Sequence, residues 1–312
     1  MTGFIKRIKL IYSCYNFFHR GKLAHNIPAY KKYGLGKKYY SPVSSKDFEK
    51  IKPGGFTERS SALPAEEVLK GLSEKDKRSI EEFDKKGYAI LEHFFSGNEV
   101  DAINTEIEKL LAEKKIKKGY GNKIMFALRQ SGQVRKAGQN ASLKKILSYL
   151  LGREPILFQS INFLQGSEQH THSDSIHMTT FPEGNLIAVW VALEDTDMTN
   201  GPLHYFEGSH LLPYYLNKDY DNEGSSWLLG EKMYTAYEEM IEEKIRSHQL
   251  EKKIFLAKKG DILIWHANLF HGGNPHTDKQ RTRKSMVFHY FGKDVICYHE
   301  ITQRPALIDP FL

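Results

Sequence analysis

The chain has 312 residues, 40% of them hydrophobic, with 45 Lys and Arg against 38 Asp and Glu. That length and apolar content suffice for one substantial core and speak against a disordered or fibrous protein. Two cysteines, Cys14 and Cys297, exclude a disulfide framework and have no metal-ligand spacing.

No apolar run reaches the length of a membrane span, and Lys6, Arg7 and Lys9 interrupt the N-terminal apolar residues, so no signal peptide is read. The expectation is a cytoplasmic protein. The net charge of +7 is local: residues 1 to 45 hold nine Lys and Arg and no acid, leaving 36 basic and 38 acidic groups elsewhere. Phe4, Ile8, Ile11, Tyr15 and Phe18 recur at intervals of three and four, which predicts a basic amphipathic helix. Three uses compete for it, in this order: docking on the catalytic domain or a second subunit, peripheral association with an anionic membrane, and nucleic-acid binding. Tyr30, Tyr33, Tyr39 and Tyr40 interleave with Lys31, Lys32, Lys37 and Lys38 in a pattern able to stack on bases, but no recognised nucleic-acid module accompanies it.

Ser41 to Pro64, punctuated by Pro42, Pro53, Gly54, Gly55 and Pro64, reads as an irregular connection that wraps the core or lies over a pocket. Residues 1–64 are therefore read as a basic extension and linker, and residues 65–312 as the main domain. Ser73-Glu-Lys-Asp opens a helix ending at Gly87, before the strand Tyr88-Ala-Ile-Leu. Ser96-Gly-Asn-Glu99 caps a second helix running to about residue 114, with Val100, Ile103, Ile107 and Leu110 as its buried stripe. Lys114 to Lys118 reads as its solvated end. Met125, Arg129, Gln130, Arg135 and Lys136 either grip an anionic substrate or lie on an exposed loop. From Ile156 onward strands dominate, interrupted by a helix near Glu231 to His248. The expected fold is mainly β with flanking helices, a double-stranded β-helix (jelly roll, cupin-like) with an N-terminal helical buttress.

The chemistry concentrates in the second half. In His172-Ser173-Asp174, alternation along a strand puts the imidazole and the carboxylate on one side. His271 lies beyond the apolar run Gly260 to His266 and just before the turn Gly272-Gly273. Two imidazoles and one carboxylate can occupy one face of a ferrous ion and leave positions for a chelating co-substrate and dioxygen. Arg283 heads the strand-like run 283 to 290, and its guanidinium suits a carboxylate. Among the other histidines, His170 is read as a support behind the metal ligands or as pocket wall, His210 as a structural hydrogen bonder, and His266 and His289 as satisfied core residues. His177 faces away from Asp174 unless a turn at Ser175 brings it to the substrate. Trp190 shares a strand face with the small Ala188 and Ala192, whereas Ile187, Val189, Val191 and Leu193 fill the other face. The indole is either a core residue or the wall of a ligand space.

The ordered set Gln169-His-Thr-His-Ser-Asp174, Ala188-Val-Trp-Val-Ala-Leu-Glu-Asp195, Asn200-Gly-Pro-Leu203, Glu207-Gly-Ser-His210, Gly260-Asp-Ile-Leu263, Asn268-Leu-Phe-His-Gly272 and Arg283-Lys-Ser285 resembles the phytanoyl-CoA dioxygenase family of iron(II)- and 2-oxoglutarate-dependent oxygenases, over roughly residues 87 to 290. The resemblance implies that His172, Asp174 and His271 bind Fe(II), that Arg283 pairs with the distal carboxylate of 2-oxoglutarate, and that Trp190, Ser285 and Gln159 belong to the co-substrate pocket. The stretch from His271 to Arg283 is one residue longer than in relatives, which makes Arg281 a competitor; the Lys-Ser that follows favours Arg283. The implied reaction is hydroxylation of an unactivated C–H bond of a small-molecule or lipid-like substrate by dioxygen, with release of succinate and CO2. Retention of Asp174 favours hydroxylation over halogenation, since related halogenases carry a small residue there. Two other classes stand beside this one: a non-catalytic jelly-roll ligand-binding protein, and a module whose basic N-terminus binds membrane or nucleic acid.

Overall fold

The computed structural model describes residues 2–51 and 64–309, so Pro53, Gly54 and Gly55 of the expected connection lie outside the described residues. The numbered helices are α1 (Lys9–Phe18), α2 (Asn26–Lys32), α3 (Glu74–Glu81), α4 (Gly97–Ala112), α5 (Gly132–Gly138), α6 (Ala141–Leu151) and α7 (Tyr234–Ser247). Ser73 accepts from the Asp76 amide at the start of α3, and the chain breaks at Glu82 before a further helical turn closed by Gly87 at φ 82°. A Cβ at Gly87 would also collide with the His210 ring, so two constraints select glycine there. The Ser96–Glu99 capping box opens α4. Its buried residues are Val100, Ile103, Ile107 and Leu110, as the periodicity predicts. Burying each contributes roughly 1.5–3 kcal/mol.

The strands form one large and two small sheets. β1 (Tyr88–Leu91), β2 (Ile124–Met125), β3 (Pro155–Phe163), β5 (Leu186–Ala192), β8 (Ile262–His266) and β10 (Ser285–Gly292) make a six-stranded sheet in the order β1-β8-β5-β10-β3-β2. β7 (Lys252–Phe255), β6 (Leu203–Phe206) and β9 (His271–Gly273) form a second sheet, and β12 (Arg304–Pro305), β11 (Ile296–His299) and β4 (Thr179–Phe181) a third. Every pairing is antiparallel. This is the jelly roll with flanking helices that the sequence predicts.

Register decides which residues meet. Val287 of β10 lies opposite Trp190, and His289 lies opposite both Ala188 and Gln159. On β8, Leu263 pairs with Trp190 and Trp265 with Ala188. Ala188, Trp190, Ala192, Leu263, Trp265 and Val287 therefore share the inner face, packed with Leu203 and Phe255 of the second sheet. The opposite face carries Ile187, Val189, Val191, Ile262, Ile264, Met286 and Phe288, covered by α4, α5 and α6. At Gly138 a Cβ would stand 2.8 Å from Leu157, so the close approach of α5 to this sheet requires glycine.

The N-terminal segment departs from two expectations. Its helix exists, but Ile11, Tyr15 and Phe18 are exposed, Phe18 by 80%, and the inward residue is Asn16, which donates to the Tyr40 carbonyl. Most of the apolar stripe is thus exposed, but the segment does dock on the catalytic domain, through a backbone bridge from Ile8 to Leu228 and an ion pair from Arg7 to Glu231. Tyr30 and Tyr33 are buried with Phe48, Phe181 and Tyr298, so they cannot stack on bases. Residues 41–51 wrap the third sheet: Phe48 stacks on Phe181, and Ser45 donates to Glu300. Among the described residues, no helix is long and apolar enough to cross a membrane.

Candidate metal and co-substrate site

His172 and Asp174 do not lie on a regular strand. His172 makes an isolated antiparallel bridge with His271, and Asp174 opens a 3-10 turn, Asp174–Ile176. The bridge exchanges both backbone hydrogen bonds at 2.9 Å, which sets two residues far apart in sequence side by side. The pair therefore converges through long-range pairing and a turn, not through strand alternation.

The ligand atoms of His172, Asp174 and His271 all lie within 4.8 Å of one another and all three residues are buried. Asp174 Oδ1 is 3.8 Å from His172 Nε2 and 3.7 Å from His271 Nε2. Each gap is shorter than two metal–ligand bonds of about 2.1 Å, so one ion can bridge it. The remaining atoms of the three side chains are committed elsewhere. His172 Nδ1 lies 2.9 Å from the His170 carbonyl and His271 Nδ1 2.9 Å from the Leu269 carbonyl. Those contacts fix the Nδ1–H tautomer and leave both Nε2 lone pairs as acceptors, that of His172 taking a hydrogen bond from Gln169 Nε2 at 3.1 Å, which a cation would replace. Trp265 Nε1 donates to Asp174 Oδ2 at 2.8 Å, leaving Oδ1 for a cation.

Electrostatics agree with this geometry. Burial, reinforced by His271, holds the His172 imidazole well below its ordinary value, so it is a neutral donor at pH 7. Burial alone would push the Asp174 carboxyl up, but His271, His289 and His172 around it outweigh that and keep it ionised. A buried carboxylate flanked by two imidazole nitrogens is a donor set for a hard-to-borderline divalent cation.

The triad opens on a cavity of about 340 Å3. Arg283 lies in its wall, 1% exposed, donating to Ser285 Oγ at 2.6 Å, with its guanidinium 5.7 Å from the Trp190 ring and 5.8 Å from Phe163. Burial brings its pKa down to about 10, so it remains a cation at pH 7. Arg283 Nε and Trp190 Nε1 are buried without a hydrogen-bond partner among the described residues. No carboxylate among the described residues forms an ion pair with Arg283, which fits an acidic ligand arriving from the cavity. Arg281, in contrast, is outside this wall and is engaged by Asp197 and Thr199. Gln159 and Trp190 also line the cavity, and Ser285 supports Arg283 from behind.

Other histidines need correction. His289 is a wall residue, not a satisfied core residue: its Nε2 stands 3.6 Å from Asp174 Oδ2 and its Nδ1 has no partner. His170 is exposed and contributes its carbonyl, not its ring. The turn after Asp174 does bring His177 to the cavity, with its ring 5.7 Å from that of His172. His210 donates from Nε2 to the Asp84 carbonyl at 3.0 Å, a structural role as expected. Of the residues read as an anionic-substrate grip, Met125 reaches the cavity, whereas Arg129 is ion-paired with Asp309 at 2.7 Å. Lys123, Gln169, Trp265, His299 and Arg304 line the cavity and escaped the sequence reading. Strand parity with Leu263 is the one signal that bears on Trp265; Lys123 precedes a two-residue strand that carries no usable pattern.

A model of the phytanoyl-CoA dioxygenase family (PhyH) matches residues 83–285. Ectoine dioxygenase of Sphingopyxis alaskensis is 28% identical over 217 residues, covering 63% of this chain and 70% of that protein. Ectoine dioxygenase of Halomonas elongata is 25% identical over 251 residues, covering 73% and 74%. Among solved structures, EctD from S. alaskensis with 2-oxoglutarate and 5-hydroxyectoine superimposes with a TM-score of 0.54 at 22% identity, over 69% of this chain and 75% of that one. The non-heme α-ketoglutarate-dependent carbocyclase SnoK of nogalamycin biosynthesis gives 0.57 at 16% identity, over 75% and 88%.

Proposed function

This chain belongs to the phytanoyl-CoA dioxygenase family, and from that premise we propose that it hydroxylates an unactivated C–H bond of a small-molecule or lipid-like substrate, releasing succinate and CO2 from 2-oxoglutarate. It is an iron(II)- and 2-oxoglutarate-dependent dioxygenase. The family match favours turnover over a non-catalytic ligand-binding role for the jelly roll. When bound, iron(II) and 2-oxoglutarate supply an oxidant derived from dioxygen that is strong enough for such a bond.

The protein's part is to hold and orient. His172 and His271 present neutral Nε2 atoms because their Nδ1–H groups are tied to backbone carbonyls, and Asp174 presents Oδ1 because Oδ2 is occupied by Trp265. Arg283 offers two parallel N–H donors to the far carboxylate of 2-oxoglutarate, with Ser285 fixing the guanidinium and Trp190 and Phe163 packing its faces. Gln159 stands across the strand pair from His289 on the substrate side of the same cavity. Leu203, Val287 and Trp265 wall the space with apolar surface and exclude water from the reacting bond. The catalytic unit is assigned to residues 65–312, with residues 1–64 as its extension, of which the described part, residues 2–51, packs against it.

The single observation that carries the reading is the convergence of two buried imidazole Nε2 atoms and one carboxylate oxygen beside a buried arginine that pairs with no carboxylate among the described residues. The test is 2-oxoglutarate-dependent release of succinate by purified protein given iron(II) and dioxygen. The wild type should release it slowly even without substrate, and His172→Ala should not. Absence of iron-dependent succinate from the wild type overturns the reading.

A further inference from the structure

The catalytic cavity does not end at the metal site. A second chamber of about 220 Å3 shares Phe126, Gln159, Met178, His299 and Arg304 with it and extends toward the N-terminal segment. Its far wall includes Tyr15 and Asn16 of α1, held in place by the Asn16 hydrogen bond to the Tyr40 carbonyl at 3.0 Å. The basic extension therefore contributes a wall to the space that leads from the iron ligands.

Charge in the joined chambers is one-sided. Among the described residues that line them, Asp174 is the one carboxylate, while Lys123, Arg129, Arg283 and Arg304 are cations. Arg129 is neutralised by Asp309 at 2.7 Å. Lys123 donates to the neutral Gln169 Oε1 at 2.9 Å, and the exposed Arg304 donates to the Thr302 hydroxyl, lies 5.6 Å from the centre of the Tyr12 ring and has no carboxylate partner among the described residues. Iron(II) beside Asp174 adds one net positive charge, and the two negative charges of 2-oxoglutarate fall short of balancing it together with Lys123, Arg283 and Arg304. Beside Arg304 the wall shared by the two chambers has an apolar part, Phe126 and Met178, and a polar part, Gln159 and His299; Phe158 and Ala306 line the second chamber.

We propose that the substrate is an amphipathic organic anion whose carboxylate or phosphate is gripped by Arg304 at the junction of the two chambers while its apolar body lies along Phe126 and Met178 toward the metal site. This rests on the oxygenase reading of the metal site. Arg304 can serve because β12 pairs it with His299, which lines both chambers, and because the Tyr12 ring packs against its guanidinium and sets its direction. A guanidinium without a carboxylate partner at the mouth of an apolar space selects an anion by attraction and rejects an ammonium by repulsion.

The test uses the full chain loaded with iron(II) and 2-oxoglutarate in the absence of dioxygen, titrated calorimetrically with octanoate, octyl phosphate, 1-octanol and octylammonium. At least one anion should bind about tenfold or more tighter than the alcohol and the ammonium. The tighter anion identifies the head group. Arg304→Ala should reduce anion affinity about tenfold and leave that of 1-octanol unchanged, and Arg304→Lys should recover part of the loss. The proposal falls if no probe binds, if the alcohol or ammonium binds as well as the anions, or if the preference survives in Arg304→Ala. Binding of 2-oxoglutarate is measured first on the same sample: its failure takes down the oxygenase reading as well, whereas normal 2-oxoglutarate binding without an anion preference takes down the substrate class alone.

Discussion

Trp265 and Asp174 are joined by a hydrogen bond of 2.8 Å from the indole N–H to carboxylate Oδ2, across ninety-one residues of chain. The indole converts a carboxylate with two equivalent oxygens into one with a single oxygen facing the metal position. Trp265→Phe keeps an aromatic ring against His271 and deletes only the donor. Iron(II) affinity in anaerobic titration is expected to fall by about ten- to one hundredfold. An unchanged affinity would mean that packing alone orients the carboxylate.

Asp174→Asn preserves shape and removes the charge around which three imidazoles are arranged. Loss of the anion from this buried site should abolish measurable iron binding by equilibrium dialysis, and with it succinate release. Thermal stability should fall modestly, because the surrounding histidines outweigh burial and favour the charged carboxylate that the substitution removes. Retained stoichiometric iron in this variant would remove Asp174 from the ligand set.

Arg283→Ala should raise the KM for 2-oxoglutarate about one hundredfold while iron binding stays within twofold, since a desolvated bidentate ion pair is lost and the triad is untouched. Arg281→Ala should change that KM less than twofold, because Arg281 is held by Asp197 and Thr199 outside the cavity. Steady-state succinate assays at varied 2-oxoglutarate separate the two arginines. Equal effects would mean that Arg283 is not the carboxylate partner.

Acid sensitivity should track His204, a buried residue of β6 whose Nε2 lies 2.9 Å from Thr171 Oγ1. Burial, with smaller contributions from Lys252 and His271, brings its pKa down to about 3. In the unfolded chain it titrates near 6.5. Between those values the unfolded state binds a proton that the folded state refuses, so unfolding free energy decreases as pH falls, by up to about 1.4 kcal/mol per pH unit for this one group. His204→Gln should flatten the dependence of the urea midpoint on pH between 6 and 4 relative to the wild type. Parallel slopes for the two proteins would show that His204 does not carry this term.

Much of the site was legible because its chemistry recurs as short words in the chain. His172-x-Asp174, His271 and Arg283 fall where one metal and one diacid require them, and the small face of Ala188 and Ala192 around Trp190 follows from alternation alone. The local caps Ser73 and Ser96 and the stripe of α4 were equally readable, since capping and helical burial depend on residues within a few positions of one another. Errors arose where distant contacts decide. Tyr30 and Tyr33 resemble a base-stacking pattern until Phe181 and Tyr298 arrive to bury them. His289 looks like core until β10 is seen to face Asp174 across the cavity.

Composition and local pattern determined on their own which residues are candidates for binding iron and a dicarboxylate, where the main helices and strands of the core lie, and that the excess of basic charge is confined to the first 45 residues. The tertiary structure alone decided that His172 and His271 meet through a backbone bridge, that Trp265 orients Asp174, that Arg283 rather than Arg281 enters the cavity, and that α1 and β12 wall a second chamber. The physical reason is range. Propensity, capping and side-chain alternation act over a few residues, whereas strand register and the choice of face are set by burying two sheets against each other, a free energy that depends on the whole chain at once.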